Sequence, residues 1–453
     1  MRNFTPLKAL RVSRWWGFYL VLLASSSTFN VWAQSKELPG RSFPEENLLA
    51  EDLFDGSLSG EDLLGDDDFE LDFQEPQVID SWRKNMRITL QQTFSQGEYL
   101  EISRSEARIE YEVAPWKGAY LRFDNKYTYY GHNDQQIGVE GEAFGHNKLQ
   151  EAWLQLSKSS CVTKLGRQGL SWGVVEGTFA VDVVSPFDFT EPLLTDFSNI
   201  RLSQDMLLGD CYLSNTQIQA FYVTSARINT YKQKNITLLA ELEDSLHEEW
   251  GVRATQVWEG LDVSLMYAHL YGNEPLTVID VKQLSGMRLD VARYDFIGLS
   301  ASWAVGRLLL ELDFGYKKNE LENFSGKEKS HFEAAFGFEY TTSNNHQLNA
   351  GVWFFDEVLQ KPTPAQKLKS GSMQAWTMGW AKTYLSDDLV MSFLGSWLTE
   401  SEVISTTLLA QYQWDDYWNF STALTYTDSG QASEALSPND SDLVLLLKAK
   451  LEF

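Results

Sequence analysis

The sequence predicts an all-β fold: a transmembrane antiparallel β-barrel of about 16 strands (14–18), preceded by an acidic N-terminal segment. Three observations carry this expectation. From Asn85 onward, apolar and polar residues alternate over segments of about ten, the length of a barrel strand, between clusters of Asn, Asp, Gly, Ser and Pro. Beyond the N-terminus there is no apolar run of the ~18 residues that a membrane-spanning helix needs. At the chain end, Leu443, Leu445, Leu447, Ala449, Leu451 and Phe453 hold alternate positions, with Lys448, Lys450 and Glu452 between them.

Residues 1–33 read as an export signal. Arg2, Lys8, Arg11 and Arg14 precede an apolar stretch from Trp15 to Ala24, and Val31-Trp32-Ala33 offers a small-residue cleavage site. The apolar stretch is short for the alternative, an uncleaved anchor helix. The mature chain is then expected to start at Gln34 in an oxidising compartment.

Residues 34–80 form a leader of different character. The chain carries 37 Lys+Arg against 63 Asp+Glu, a formal charge of −26, and this segment holds fifteen of the acids with only Lys36 and Arg41. Its stretch 45–75 has thirteen acids and no base, interleaved with Leu and Phe. Like charges at that density repel and leave too little apolar surface for a core, so a disordered periplasmic leader is expected. A docking peptide for a basic periplasmic partner is the alternative.

Residues 81–453 supply the barrel. Leu308, Leu310, Leu312, Phe314 and Tyr316 alternate with Arg307, Glu311 and Asp313, and Ala107, Ile109, Tyr111 and Val113 with Glu106, Arg108, Glu110 and Glu112. Leu121, Phe123 and Tyr127 face away from Arg122, Asp124 and Lys126, as Phe332, Phe336, Phe338 and Tyr340 do from Glu333 and Glu339. A soluble β-sandwich also alternates, but the chain end speaks for lipid. A last strand closing on Phe453 resembles the signal by which Gram-negative outer-membrane barrels are recognised for insertion, and that resemblance implies the barrel-assembly machinery as a partner. Only closed barrels satisfy every backbone group in lipid without helices, hence an even strand number. Trp116, Tyr129, Trp258, Tyr271, Trp397, Trp414 and Trp418 suit aromatic girdles at the two interfaces.

The polar faces then line the lumen. Glu106, Arg108, Glu110, Arg122, Asp124, Lys126, Arg307, Glu311, Asp313, Glu333 and Glu339 are the expected pore-lining residues, and their excess of acids favours cations. Cross-strand pairing of these charges into a structural network is the competing expectation. The stretch 172–203 is too apolar for a free surface loop; it is expected to fold inward, with Asp182, Asp188 and Glu191 at the constriction. An outer lid is its alternative.

Just before that stretch stands Val162-Thr163-Lys164-Leu165-Gly166-Arg167-Gln168, followed by Trp172-Gly173 and then Asp182 and Pro186-Phe187-Asp188. These residues resemble the GRQ…WG signature of porin-like outer-membrane barrels, among them alginate-export-type porins and an uncharacterised barrel family linked with RND-type exporters. The resemblance implies passage or hand-over of a solute without hydrolytic chemistry.

Cys161 and Cys211 are the two cysteines. With Ser159-Ser160 and Ser214-Asn215 as turns at one rim, they fall on adjacent strands, where a single disulfide or two free thiols would sit.

Other classes are excluded by what is missing or by sign. An acidic chain lacks the basic footprint of a nucleic-acid binder. Two cysteines and six scattered histidines make no zinc pattern, and there is no GxSxG motif, so neither metal, cofactor nor enzymatic activity is expected. Lipid and lipopolysaccharide are the expected surroundings, and a homotrimer is compatible with such a barrel. The function expected is a porin-like channel for small hydrophilic solutes; the alternative is a non-conducting barrel that joins an export system through its leader.

Overall fold

The computed structural model describes residues 85–97, 102–133, 145–189, 200–231, 242–280, 286–321, 328–356, 372–399, 403–428 and 441–453. The signal, the acidic leader and Glu191 lie outside them. The strands in chain order are β1 (Met86–Gln96), β2 (Ile102–Trp116), β3 (Ala119–Asn133), β4 (Gly145–Lys158), β5 (Cys161–Gln168), β6 (Asp188–Phe189), β7 (Gln204–Leu213) and β8 (Thr216–Val223). They continue as β9 (Thr230–Tyr231), β10 (Glu249–Trp258), β11 (Leu261–Tyr271), β12 (Leu276–Asp280), β13 (Gly286–Asp290), β14 (Arg293–Val305) and β15 (Leu308–Leu321). The last are β16 (Glu328–Thr341), β17 (Gln347–Asp356), β18 (Ser372–Tyr384), β19 (Leu389–Leu398), β20 (Val403–Gln413), β21 (Trp418–Asp428) and β22 (Ser441–Glu452).

Eighteen of these strands form one antiparallel sheet, which closes where β1 pairs with β22. The barrel therefore has 18 strands rather than about 16. The expectation fell short because one rim uses almost no chain: β2 and β3 are joined through Lys117 and Gly118, β14 and β15 through Gly306 and Arg307. Gly118 and Gly306 have φ of +80° and +62°, the left-handed conformation that two-residue hairpins require. The small pairs β6–β9 and β12–β13 stay outside the barrel sheet.

The two-residue turns, together with the start of β1 and the end of β22, lie at one rim; the long connections, such as 169–203 and 224–248, lie at the other. Short turns at one end and long loops at the other are the habit of outer-membrane barrels, where the short turns face the periplasm. The closing seam reaches the final residue, since Phe453 and Ile88 exchange backbone hydrogen bonds of 3.0 and 3.1 Å.

Exposure follows the alternation. Outward positions such as Leu90, Ile109, Phe123, Leu265, Phe336 and Leu445 stay accessible, an apolar belt with no soluble-protein counterpart. Trp116, Trp258, Trp303, Trp414 and Trp418 ring the short-turn end; Tyr129, Trp250, Trp376, Trp397 and Tyr426 lie toward the other. Tyr271 departs from this girdle: it packs with Ala226, Ile228, Leu246 and Val291, and the Arg293 guanidinium stacks on its ring at 4.8 Å. Among the described residues no helix is long and apolar enough to cross a membrane, which says nothing against crossing with strands.

Cys161 and Cys211 face each other across the β5–β7 ladder, Cys161 directly after the Ser159-Ser160 turn, and their sulfurs are bonded.

Candidate functional site

Between β5 and β7 the chain turns into the barrel. Gly166, at φ +131°, lies so close to β4 that a Cβ would overlap the Ala152 carbonyl. After it the ladder keeps its register but the polar groups divide. Arg167 turns to the outer face, where it holds Asp205 at 2.8 and 3.0 Å, while buried Gln168 donates to the Met206 carbonyl. Trp172 is completely enclosed and its indole N–H donates to Gln219 at 2.9 Å. Its ring needs the missing side chain of Gly251, whose Cβ would stand 2.8 Å from Cη2. Gly173 is equally confined, its Cβ position 3.3 Å from Asp182 and Asp313.

The loop then seats on the inner wall of β14–β17. Asp313 is the anchor: its buried carboxylate accepts the backbone N–H groups of Val174 (3.0 Å) and Val175 (2.9 Å), and the Ser300 hydroxyl at 2.5 Å. Glycines make room for the loop backbone, because a Cβ on Gly315 would overlap the Ala180 carbonyl and one on Gly337 would press on Val175. Apolar packing completes the seat. Leu170, Trp172, Val181, Val183 and Val184 join Met206, Phe221, Met266 and Phe296, and Val175 and Ala180 join Ala335, Trp353 and Phe355. Burying each such side chain stabilises by roughly 1.5–3 kcal/mol, so the loop is a fixed wall and not a loose flap.

Its return leg is tied as firmly. Asp182 does not stand free at a constriction as expected; it takes two hydrogen bonds from Arg201, at 2.6 and 2.9 Å, and one from Ser171. Ser185 caps the Leu170 N–H at 2.8 Å. Asp188 meets Lys148 of β4 at 2.8 Å and accepts the Thr230 hydroxyl at 3.0 Å. Among the described residues, the two apolar clusters that hold the loop draw on β7–β20 and take nothing from β21, β22 or β1–β4.

That remaining sector carries most of the residues expected to line a pore. Arg87 pairs with Glu110 and Glu452, Arg108 with Asp124 and Glu110, Arg122 with Glu112 and Glu151, and Glu106 with both Arg104 and Lys126. The inward faces are as the alternation requires, and their charges interlock in a cross-strand network. Glu333, in another sector, pairs with Lys317 at 2.6 Å beside His331. Arg307 is misplaced by the sequence reading: it sits in the exposed turn before β15, because the strand starts one residue later.

Below the loop tip three carboxyls converge, Glu176 of the loop with Glu311 and Glu339 of the wall. Burial, then the charges of Glu339 and Glu311, push the Glu176 carboxyl up to about 8. A carboxyl raised on folding contributes stability that is complete below its unfolded value of 4.5 and is lost as pH rises through 8. Glu176→Gln is thus expected to melt higher than wild type at pH 9 and at the same temperature near pH 4, in thermal unfolding of the detergent-solubilised barrel; equal melting at pH 9 would contradict this.

Arg201, Lys148, Gly251, Gly315 and Gly337 escaped the sequence reading. The glycines had left a signal, since glycine inside a strand pattern marks a close backbone approach.

An 18-stranded barrel with an inward loop places the chain in the architecture of outer-membrane porins. No family model and no curated protein sequence matches it. Solved structures do match. The outer-membrane protein OpdK from Pseudomonas aeruginosa aligns at TM-score 0.54 and 9% identity, over 82% of this chain and 98% of that one. OccAB1 from Acinetobacter baumannii aligns at 0.51 and 10%, covering 82% and 96%. OccD3 of Pseudomonas aeruginosa aligns at 0.50 and 11%, covering 82% and 91%. OpdK has also been solved with vanillate. At such identities the likeness is one of fold. Nothing in these comparisons carries the resemblance to alginate-export-type porins, and Gly166, Arg167, Gln168, Trp172 and Gly173 find their physical account in launching and seating the inward loop.

Proposed function

We propose that this chain is an outer-membrane channel that passes small hydrophilic solutes, with a preference for cations, through the part of the lumen that its inward loop leaves open. The observation that carries the reading is the one-sided seating of that loop. Apolar clusters bind it to β7–β20, while β21, β22 and β1–β4 present mainly hydroxyl, amide and charged side chains, interrupted by small separate apolar groups at Ile102, Tyr130 and Val444 and at Ala423 and Leu446. A packed core would have been continued across that sector had the barrel served only as a scaffold. The fold shared with OpdK and the Occ barrels supports a channel. The preference for cations rests on Glu176, Glu311 and Glu339, which meet below the loop tip, whereas the charges of β1–β4 largely cancel in pairs. Glu176 gains its charge as pH rises toward 8, so the preference is expected to strengthen with pH.

The test is electrical. Refolded full-length protein in a planar bilayer under a KCl gradient is expected to give discrete open channels whose reversal potential has the cation-selective sign. A folded, inserted barrel that passes no current would end the channel reading; anion-selective current would end the preference alone.

A further inference from the structure

Resting on the channel reading, we propose that the ion pair between Lys148 and Asp188 is a strap that sets the aperture of the passage. The argument starts from where its two ends stand. Lys148 belongs to β4; the loop that carries Asp188 has its tip on β16 and β17, where Val175 packs by Ala335 and Phe179 lies edge-on to Trp353 at 5.5 Å. Around the closed sheet the path from β4 runs through β5, β7, β8, β10, β11, β14, β15 and β16 to β17, nine steps in a ring of 18 strands. The loop therefore spans the barrel from one side to the opposite one. Its far end is held by burial and by Asp313; the near end is paired with β9, where the Thr230 N–H donates to the Phe187 carbonyl at 2.9 Å, and it reaches β4 through the ionic contact of 2.8 Å, with the Thr230 hydroxyl steadying the carboxylate at 3.0 Å.

A row of rings makes the span stiff. Phe355 stacks on Trp353 at 4.1 Å, Phe179 follows, then Phe187 at 4.8 Å and Phe189 at 5.8 Å, next to Asp188. Displacement at the Asp188 end is thereby passed along the span and not absorbed within it. The charges beside the strap explain why it closes. Arg104, Lys126 and Lys148 come together here against Glu106, which already takes Arg104 at 2.9 Å and Lys126 at 3.3 Å. Asp188 is the second carboxylate that three neighbouring cations call for, and in a confined, partly dry lumen that attraction is stronger than on an open surface. With Asp188 neutral, Lys148 is repelled by Arg104 and Lys126 and the loop end loses this ionic tie to β4.

Single-channel conductance of Lys148→Met, Asp188→Asn and the exchange Lys148→Asp/Asp188→Lys, each compared with wild type, tests this. Both single variants are expected to conduct more than wild type, and the exchange to return toward it, because the pair is rebuilt with its signs reversed. Single variants that leave conductance unaltered, or an exchange that restores nothing, overturn the strap. Should wild type pass no current, the channel reading falls and the strap is judged by proximity: Lys148→Cys/Asp188→Cys in the folded barrel joins through a short bifunctional thiol reagent, read by mass spectrometry, if the contact exists. Absence of that cross-link overturns it.

Discussion

Asp313→Ala is expected to free the tip of the inward loop around Val174 and Val175, lower the melting temperature of the solubilised barrel, and raise its conductance. One carboxylate serves three donors here, the Val174 and Val175 N–H groups and the Ser300 hydroxyl, in a place fully closed to solvent. Alanine leaves all three without a partner. Each unsatisfied buried donor costs about 1–3 kcal/mol, more than the hydrogen bond itself is worth net, so the Val174–Val175 stretch gains by leaving the wall and bonding to water while the apolar clusters keep the rest of the loop in place. Asp313→Asn, which keeps a carbonyl acceptor in place, is expected to lose less than half as much. Melting and current that match wild type in the alanine variant would mean that the loop is held by its apolar clusters alone.

A second large effect is expected from Gly315→Val. The Cβ of any other residue at 315 collides with the Ala180 carbonyl and crowds Phe296, and both lie in rigid surroundings. Backbone cannot yield as a flexible side chain does, so valine must push the loop off β15. Overpacking of this kind costs roughly 1–3 kcal/mol where atoms can shift, and more where they cannot. The strand itself tolerates valine well. The expected signature is thus a barrel that still inserts and resists unfolding as a sheet, yet conducts with noisier, larger openings. A variant indistinguishable from wild type in single-channel records would show that the loop is not seated on Gly315.

These two residues also show what the sequence could and could not disclose. The alternation of Leu312 and Phe314 with Glu311 and Asp313 reports the two faces of a strand directly, because the period of two is imposed by the backbone. That an inward stretch follows Gln168 was legible as well, from apolar residues such as Val181, Val183 and Val184 where a surface loop would be polar. Its landing place was not. Asp313 lies 139 residues beyond Val174 in the chain, and nothing local in either segment points to the other. Asp182 illustrates the same limit from the other side: an acid in a loop looks available until Arg201 is found against it. The strand count erred for a simpler reason, since two-residue turns such as Lys117-Gly118 leave more chain for strands than an average spacing supposes.

The seam between β1 and β22 bears on how the molecule comes into being. Residue 88 bonds with residue 453, so the two ends of the sheet meet only when the whole barrel sequence is present. Until then each end is a bare row of peptide groups, which hydrocarbon will not solvate. Seventeen of the ladders join neighbours along the barrel and can form in any order, but the eighteenth requires the largest loss of chain entropy of all. Closure is therefore the slow, late event of its biogenesis, and the stage at which an unfinished chain is most open to pairing with another strand.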